Sequence, residues 1–231
     1  MFFQKKRQKD IFLLHKKMSF SQSGEDLIVD FIFKNLMKID MPSYIDVGAY
    51  DPLDLNNTAI FYSRGCRGVN IEPNPSAIDK FIETRPFDIN LNIGISDIEG
   101  VLDYYTFKGP ALNTFDEIEK EKNIEQYTGK LTIQITTIAT IINNYCKGIF
   151  PDFLSLDVEG FDLKILQTID YNNAPKVICV ETIQKAANQV WVKNSSIINF
   201  LQTKGYVHHS DTCINSIFVL NTALNGIVLE I

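Results

Sequence analysis

Acidic residues close four apolar runs of this chain: Asp46-Val47-Gly48-Ala49, Glu72-Pro73-Asn74-Pro75, Asp157-Val158-Glu159-Gly160 and Glu181-Thr182. Carboxylates gathered at the same end of successive buried strands form a set, because random surface acids would scatter. Gly48 lacks a Cβ, so a ligand can approach that loop closely. Asp46 can accept from an ammonium group or hold the loop amides. Glu72 follows Gly48 by 24 positions, near the roughly 20-residue offset of an acid that binds ribose hydroxyls. Together these residues describe a nucleotide site. Singly, each has a plainer reading: Asp46 as a helix cap, Glu72 as a strand stop before Pro73, Asp157 and Glu159 as a solvated strand end.

The loop also bears on which nucleotide. A dinucleotide fingerprint, G-x-G-x-x-G, cradles pyrophosphate on a helix N-terminus. Here the loop reads Gly48-Ala49-Tyr50-Asp51-Pro52. The second and third glycines are missing, and Asp51 would face phosphate. S-Adenosylmethionine carries no phosphate and has a positive sulfonium, which an acid-lined site suits. NAD-dependent reduction is the alternative that the missing glycines oppose.

These acids need a scaffold. Helical periodicity runs from about Glu25 to Met37, with Leu27, Ile28, Phe31, Ile32 and Leu36 apolar. Strands are expected at Tyr44–Val47, Gly68–Ile71, Ile89–Ile95, Val101–Phe107, Leu131–Thr136, Phe153–Leu156 and Val177–Val180. Helices are expected at Thr58–Ser63, Ser76–Thr84, Thr137–Tyr145, Leu163–Thr168 and Ser195–Thr203, and a closing antiparallel pair at Tyr206–His209 and Ser216–Leu220. Such alternation implies an α/β fold: a mainly parallel sheet with helices on both faces and a terminal antiparallel hairpin. Ligands of these sheets bind outside the carboxyl ends of the strands, where the four acids fall. Residues 108–129 break the pattern with Gly109-Pro110 and the charged run Asp116–Lys122. They read either as a mobile surface loop and helix or as a lid over a substrate.

The 231 residues suit one α/β domain, 19–231, behind a basic lead-in of residues 1–18. Hydrophobic residues at 45% and charged residues at 22% can build an ordinary core. A net charge of −6 argues against nucleic acid, which Lys and Arg bind through phosphate, and for a small or uncharged partner. Cys66, Cys146, Cys179 and Cys213 have no C-x-x-C or zinc spacing, so a reducing, cytoplasmic setting is the simpler reading. No apolar stretch reaches the roughly 18 residues of a membrane span, and the lead-in lacks the apolar core of a signal peptide. That lead-in is either a solvated amphipathic helix or a weak contact with anionic membrane through Lys5, Lys6, Arg7, Lys9, Lys16 and Lys17.

The motifs Ser21-Gln22-Ser23-Gly24-Glu25-Asp26, Tyr44 to Pro52, Asn57-Thr58, Gly68 to Pro75, Asn90-Leu91-Asn92-Ile93-Gly94-Ile95-Ser96 and Leu156 to Gly160 resemble those of FkbM-type methyltransferases. The resemblance runs from about Ser19 to Val219. It implies a class I methyltransferase (Rossmann-like) fold, a seven-stranded sheet with the last strand antiparallel, and O-methylation, often of sugar or polyketide hydroxyls. It implies that Asp46, Gly48 and Ala49 contact the methionine end of S-adenosylmethionine, that Glu72 holds the ribose with Asn74 nearby, and that Ser96 and Asp97 lie by the adenine. Asp157 and Glu159 would face the methyl group and the acceptor, with Gln22 and Glu25 closing over cofactor or acceptor. Family members often carry Glu where this chain has Asp162, which keeps the charge and shortens the reach.

An alcohol is a poor nucleophile, so a base within reach of its proton helps. Asp157 and Glu159 are the first candidates, His208 and His209 the second. Asp157, Glu159 and Glu181 could instead offer oxygen ligands to Mg²⁺, or be ordinary strand-end acids. The residues are compatible with an active O-methyltransferase for a sugar or glycoconjugate hydroxyl. The alternative of another class is a catalytically silent cofactor-binding or interaction module on the same fold, which the Asp157-x-Glu159-Gly160 motif disfavours.

Overall fold

Short, mostly apolar and largely buried strands are what a sheet covered on both faces requires, and the central strands of this structure are of that kind. The computed structural model describes residues 16–158, 160–185 and 190–224. Seven strands form the main sheet. In chain order they are β1 (Tyr44–Val47), β2 (Gly68–Ile71), β3 (Ile89–Leu91), β7 (Phe153–Leu156), β8 (Val177–Glu181), β11 (Tyr206–Asp211) and β12 (Asn215–Leu220). Their spatial order is β11-β12-β8-β7-β1-β2-β3. β12 runs antiparallel to both β8 and β11, and the other described pairings are parallel. The sheet is thus mixed, and the fold mixed α/β.

The two-residue alternation of side chains sorts the core into two halves. Ile45, Val47, Leu154, Leu156, Ile178, Val180 and Phe218 point to one side. They pack there on Ile141 of α5 (Ile138–Tyr145), Ile165 of α6 (Asp162–Gln167) and Ile197 and Leu201 of α7 (Ser195–Thr203). Tyr44, Phe153, Val177, Cys179, Ile217 and Val219 point to the other. Their partners include Val29 of α1 (Glu25–Phe31), Ile32 and Phe33 of the π-helical turns that continue it to Met37, and Ile60 and Phe61 of α2 (Ala59–Ser63). Phe33, Phe61 and Phe153 meet edge to face at centroid distances of 5.8–6.4 Å, the arrangement aromatic quadrupoles favour.

Asp46 and Ser155 are register partners. They, Asp157 and Glu181 therefore stand on the face of Tyr44, Phe153 and Cys179, at its carboxyl end. Parallel pairing brings four distant stretches of sequence to one edge.

Three features depart from the sequence expectation. The third strand is split. β3 ends at Leu91, and Gly94–Ile95 forms β4 in a second sheet of order β4-β6-β5, with β5 (Gly100–Phe107) and β6 (Tyr127–Thr136). The break is made at Asn92, whose side-chain amide donates to the Glu72 and Pro73 carbonyls, each at 2.9 Å. The expected strands at 101–107 and 131–136 pair with each other and with β4 rather than joining the main sheet. A small antiparallel ribbon, β9 (Ile183–Lys185) with β10 (Trp191–Lys193), follows β8.

Candidate active site

A cavity of about 320 Å³ lies at the carboxyl ends of β1, β2, β7 and β8. Asp46, Gly48, Ala49, Glu72, Asn74, Gln22 and Asp157 all line it, so the fold brings together seven of the residues singled out by strand pattern or by the family resemblance. Glu25, Ser96 and Asp97 do not line it, and Glu159 lies outside the described residues, as do residues 1–15 of the lead-in. The wall beyond β3 is Ile93, Gly94 and Ile95 instead. Ser96 is buried behind it, its amide donating to the Thr136 carbonyl at 2.9 Å, and Asp97 is exposed. His208 stacks on Phe218 at 4.9 Å; neither it nor His209 lines the cavity.

Glu72 is the best-defined acid. Its Oε1 accepts the Asn74 amide at 2.7 Å and its Oε2 the Tyr50 amide at 2.9 Å. Each oxygen keeps a lone pair for another donor. Burial pushes its carboxyl up to about 7, the two amides pull it down, and Asp46 and Asp157 raise it further. Asn74 caps α3 (Pro75–Thr84), accepting from the Ser76 amide, so its own side chain is committed to the helix.

Asp46 is buried beneath the cavity. Its Oδ2 accepts from Thr58 Oγ1 at 2.7 Å and Asn56 Nδ2 at 3.0 Å. Burial raises its carboxyl, against hydrogen bonds from Thr58, Ser155 and Asn56 and the charge of Arg85. Arg85 is wholly buried. It donates to Thr58 Oγ1 at 2.8 Å, Asn56 Oδ1 at 2.7 Å, Asn70 Oδ1 at 3.3 Å and the Pro52 carbonyl. Sequence reasoning missed Arg85, since arginine is ordinarily exposed. The available signal was Asn70, a polar residue inside the apolar run Gly68–Ile71, which needs a buried partner. Lysine cannot reproduce the planar fork. Arg85→Lys is expected to lower the unfolding free energy by about 1–3 kcal/mol, read as a lower denaturant midpoint at unchanged slope.

Gly48 has a reason other than ligand approach. Its φ is +75°, and a Cβ there would stand 1.7 Å from the Asp157 carbonyl oxygen. The β1 and β7 loops are in backbone contact, and this closeness holds Asp157 beside Asp46. The Asp157 carboxyl opens to the cavity and hydrogen-bonds Glu181. Loss of hydration and then the Asp46 charge raise it to about 6, while the Glu181 bond works the other way. Two carboxyls so joined titrate as a pair. Asp162, one turn on, accepts the Val158 amide at 3.2 Å and bonds the Gly160 amide. Burial, then the Asp157 charge, raises it to about 7. Its short side chain braces the loop from below.

Glu25 ties the Ser21–Asp26 segment to the β11–β12 turn, accepting from Thr212 Oγ1 at 2.6 Å and Asn215 Nδ2 at 3.1 Å. Burial would raise its carboxyl, but these bonds and backbone amides hold it below the usual range. Gln22 is thereby held at the cavity edge. Within the insertion, Asn113, Thr114 and Phe115 line the cavity opposite. Phe115 lies tilted against Tyr104, ring centroids 4.7 Å apart, and sits so close to Gly94 that a Cβ there would be 2.5 Å from its ring. Asp116 caps α4 (Glu117–Lys122).

The lining gathers Asp46, Asp51 and Glu72 around the Gly48 loop, with Lys80 paired to Asp51 at 3.0 Å, and no helix begins there, because the next one starts at Ala59. Among the described residues no three His, Cys, Asp or Glu side chains group so as to hold a metal ion, and no helix is long and apolar enough to cross a membrane.

The methyltransferase FkbM domain family matches residues 46–207, well over half of the chain. Among solved structures, methyltransferase FkbM from Methylobacillus flagellatus KT is 15% identical with a TM-score of 0.44, covering 78% of this chain. The chain spans 44% of that protein's length. Precorrin-6y C5,15-methyltransferase from Geobacter metallireducens GS-15 is 11% identical with a TM-score of 0.37, covering 78% of this chain and 79% of its own. No curated protein matches.

Proposed function

We infer a function on this footing: the chain belongs to the methyltransferase FkbM family. We propose S-adenosylmethionine-dependent O-methyl transfer to a hydroxyl of a small molecule, a sugar or glycoconjugate, on a class I methyltransferase sheet. The strand order with its single reversed strand supports the fold assignment. One observation carries the cofactor assignment. Glu72 is clamped by two amides at the end of β2 with acceptor capacity facing the cavity, beside a loop that offers no phosphate cradle.

Asp46, Gly48, Ala49, Glu72, Asn74 and Gln22 would hold the cofactor. Glu72 accepts from ribose hydroxyls, and Asp46 with Asp157 supplies negative potential for the cationic end. When bound, S-adenosylmethionine supplies a methyl group carried on positive sulfur. Asp157 takes the proton of the acceptor hydroxyl at a carboxylate oxygen, and Glu181 holds Asp157 in place. Glu159 is the neighbouring alternative for that proton. Glu25 ties down the Ser21–Asp26 segment, and Ser96 lies buried behind the wall with its hydroxyl donating to Asp97 at 3.0 Å. The insertion at 108–129 acts as a lid that excludes water, supported by the cavity-lining residues Asn113, Thr114 and Phe115. A reducing, cytoplasmic setting belongs to the same proposal, supported by four free cysteines.

Calorimetry tests the reading. S-Adenosylmethionine is expected to bind and NAD not to. Glu72→Gln is expected to weaken S-adenosylmethionine about 10- to 100-fold, the worth of charge-assisted bonds to ribose. The ligand favours ionised Glu72, whose free carboxyl titrates at about 7. Affinity should therefore fall as pH drops below about 7, with proton release on binding. Binding of NAD in place of S-adenosylmethionine overturns the reading.

A further inference from the structure

Phe115 of the insertion lines the cavity and touches three separate parts of the fold. Its ring lies 4.7 Å from that of Tyr104 on β5. It lies 6.5 Å, edge to face, from that of Phe161, four residues beyond Asp157. Against it stands Gly94 of β4, where a Cβ would meet Phe115 Cζ at 2.5 Å. The next residue reaches the same turn as Phe161: a Cβ on Gly160 would lie 3.0 Å from Asp116 Oδ2. Both neighbours of Phe115 are fixed. Thr114 exchanges backbone hydrogen bonds with Tyr105 at 2.8 and 3.1 Å. Asp116 caps α4, and its amide donates to Thr114 Oγ1 at 2.9 Å. The ring is therefore mounted on β5.

The turn after β7 is thus held from two directions. Toward β1, the Asp157 amide donates to the Val47 carbonyl at 3.0 Å, and the Val158 amide donates to Asp162 Oδ1 at 3.2 Å. Toward the insertion, Phe161 meets Phe115 and Gly160 meets Asp116. Phe161 also packs on the core beneath the sheet. Edge-to-face contact is a favoured geometry for two rings, and close packing passes a displacement of one ring to the next. A shift of about 1 Å in a reacting group can cost about 100-fold in rate, so what holds this turn bears on the chemistry at Asp157.

Building on the methyltransferase reading above, we propose that Phe115 is a positioning residue: its ring wedges between Gly94 and Phe161 and fixes the turn that carries Asp157. The insertion thereby sets the base against the opposite wall of the cavity. The first test follows amide hydrogen exchange by NMR in the full chain without ligand. Phe115→Ala should speed exchange of the Asp157 and Val158 amides about tenfold or more, with the β1 and β7 amides unchanged. Phe115→Leu, which keeps apolar bulk against Phe161, should recover most of the protection. Gly94→Ala should reproduce the fast exchange by driving the ring outward. Adding Phe115→Leu to Gly94→Ala should cancel most of that effect, because leucine has no atom at the Cζ position. The second test is kinetic. With S-adenosylmethionine and an acceptor that is methylated, Phe115→Ala should lower kcat about 10- to 100-fold, with cofactor affinity within about threefold of wild type. Unchanged exchange at Asp157 and Val158, or an equal rise throughout the sheet, overturns the inference. So does weakened S-adenosylmethionine binding at unchanged kcat, which would make Phe115 a cofactor contact. Failure of S-adenosylmethionine to bind wild type overturns the methyltransferase reading instead, and the exchange measurement still decides what holds the turn.

Discussion

Asp157→Asn is expected to lower kcat about 10²- to 10⁴-fold, the usual contribution of a positioned base, while S-adenosylmethionine affinity changes by less than about tenfold. Asp157 has the geometry that a base needs. It opens to the cavity, is bonded to Glu181 and stands close to the Asp46 charge. The amide keeps the shape and removes the proton acceptor. The wild-type pH profile is a second readout. A base works ionised, and the Asp157–Glu181 pair, raised by loss of hydration and the Asp46 charge, titrates as a unit with a step at about 6. kcat/KM should therefore rise as pH climbs through about 6 and level above it, and the amide variant should lose that rise. Full turnover by Asp157→Asn on a verified acceptor would move the role to Glu159. A flat wild-type profile between about pH 5 and 8 would remove an ionising carboxylate from the chemistry altogether.

Gly48→Ala is expected to damage both fold and site. The left-handed backbone costs a residue with a Cβ about 1–2 kcal/mol. Overpacking adds about 1–3 kcal/mol. The obstacle is the Asp157 carbonyl at 1.7 Å, which is backbone and has no rotamer to change. Three hydrogen bonds clamp the loops around it: the Gly48 and Ala49 amides to the Ile71 carbonyl, and the Asp157 amide to the Val47 carbonyl, at 3.0–3.1 Å. A total of about 2–5 kcal/mol is large against the 5–15 kcal/mol of a typical domain. The variant should melt well below wild type, and the displaced loops should bind S-adenosylmethionine about 100-fold or more weakly. Gly205→Ala is the control. It shares a positive φ of +85° but has nothing within 4 Å of the new Cβ, so it should lose about 1–2 kcal/mol and no binding. If the two variants melt alike, the close approach of the loops is not what selects glycine at position 48.

Local pattern was enough for the main sheet. Runs such as Tyr44–Val47, Gly68–Ile71 and Phe153–Leu156 appear in the structure with the bounds their apolar content implied, because four buried residues between turn signals leave few other choices. Those strands all leave their acids at the same end, so Asp46, Glu72, Asp157 and Glu181 group together on strand pattern alone. Other features depended on pairing. Nothing local in Ile89–Ile95 marks a break at Asn92; the break exists because the Glu72 and Pro73 carbonyls need its amide and because Gly94 pairs with Ile135. The insertion's Phe115 lies against Gly94 through contacts some 20 residues apart. Gly48 is the clearest instance of the division. The sequence by itself determined that a glycine ends the first strand beside an acid, and that a ribose-type acid follows one strand later. Only the tertiary structure decided what the missing Cβ makes room for, the Asp157 carbonyl, because that neighbour is 109 residues away along the chain and arrives only when β7 pairs with β1.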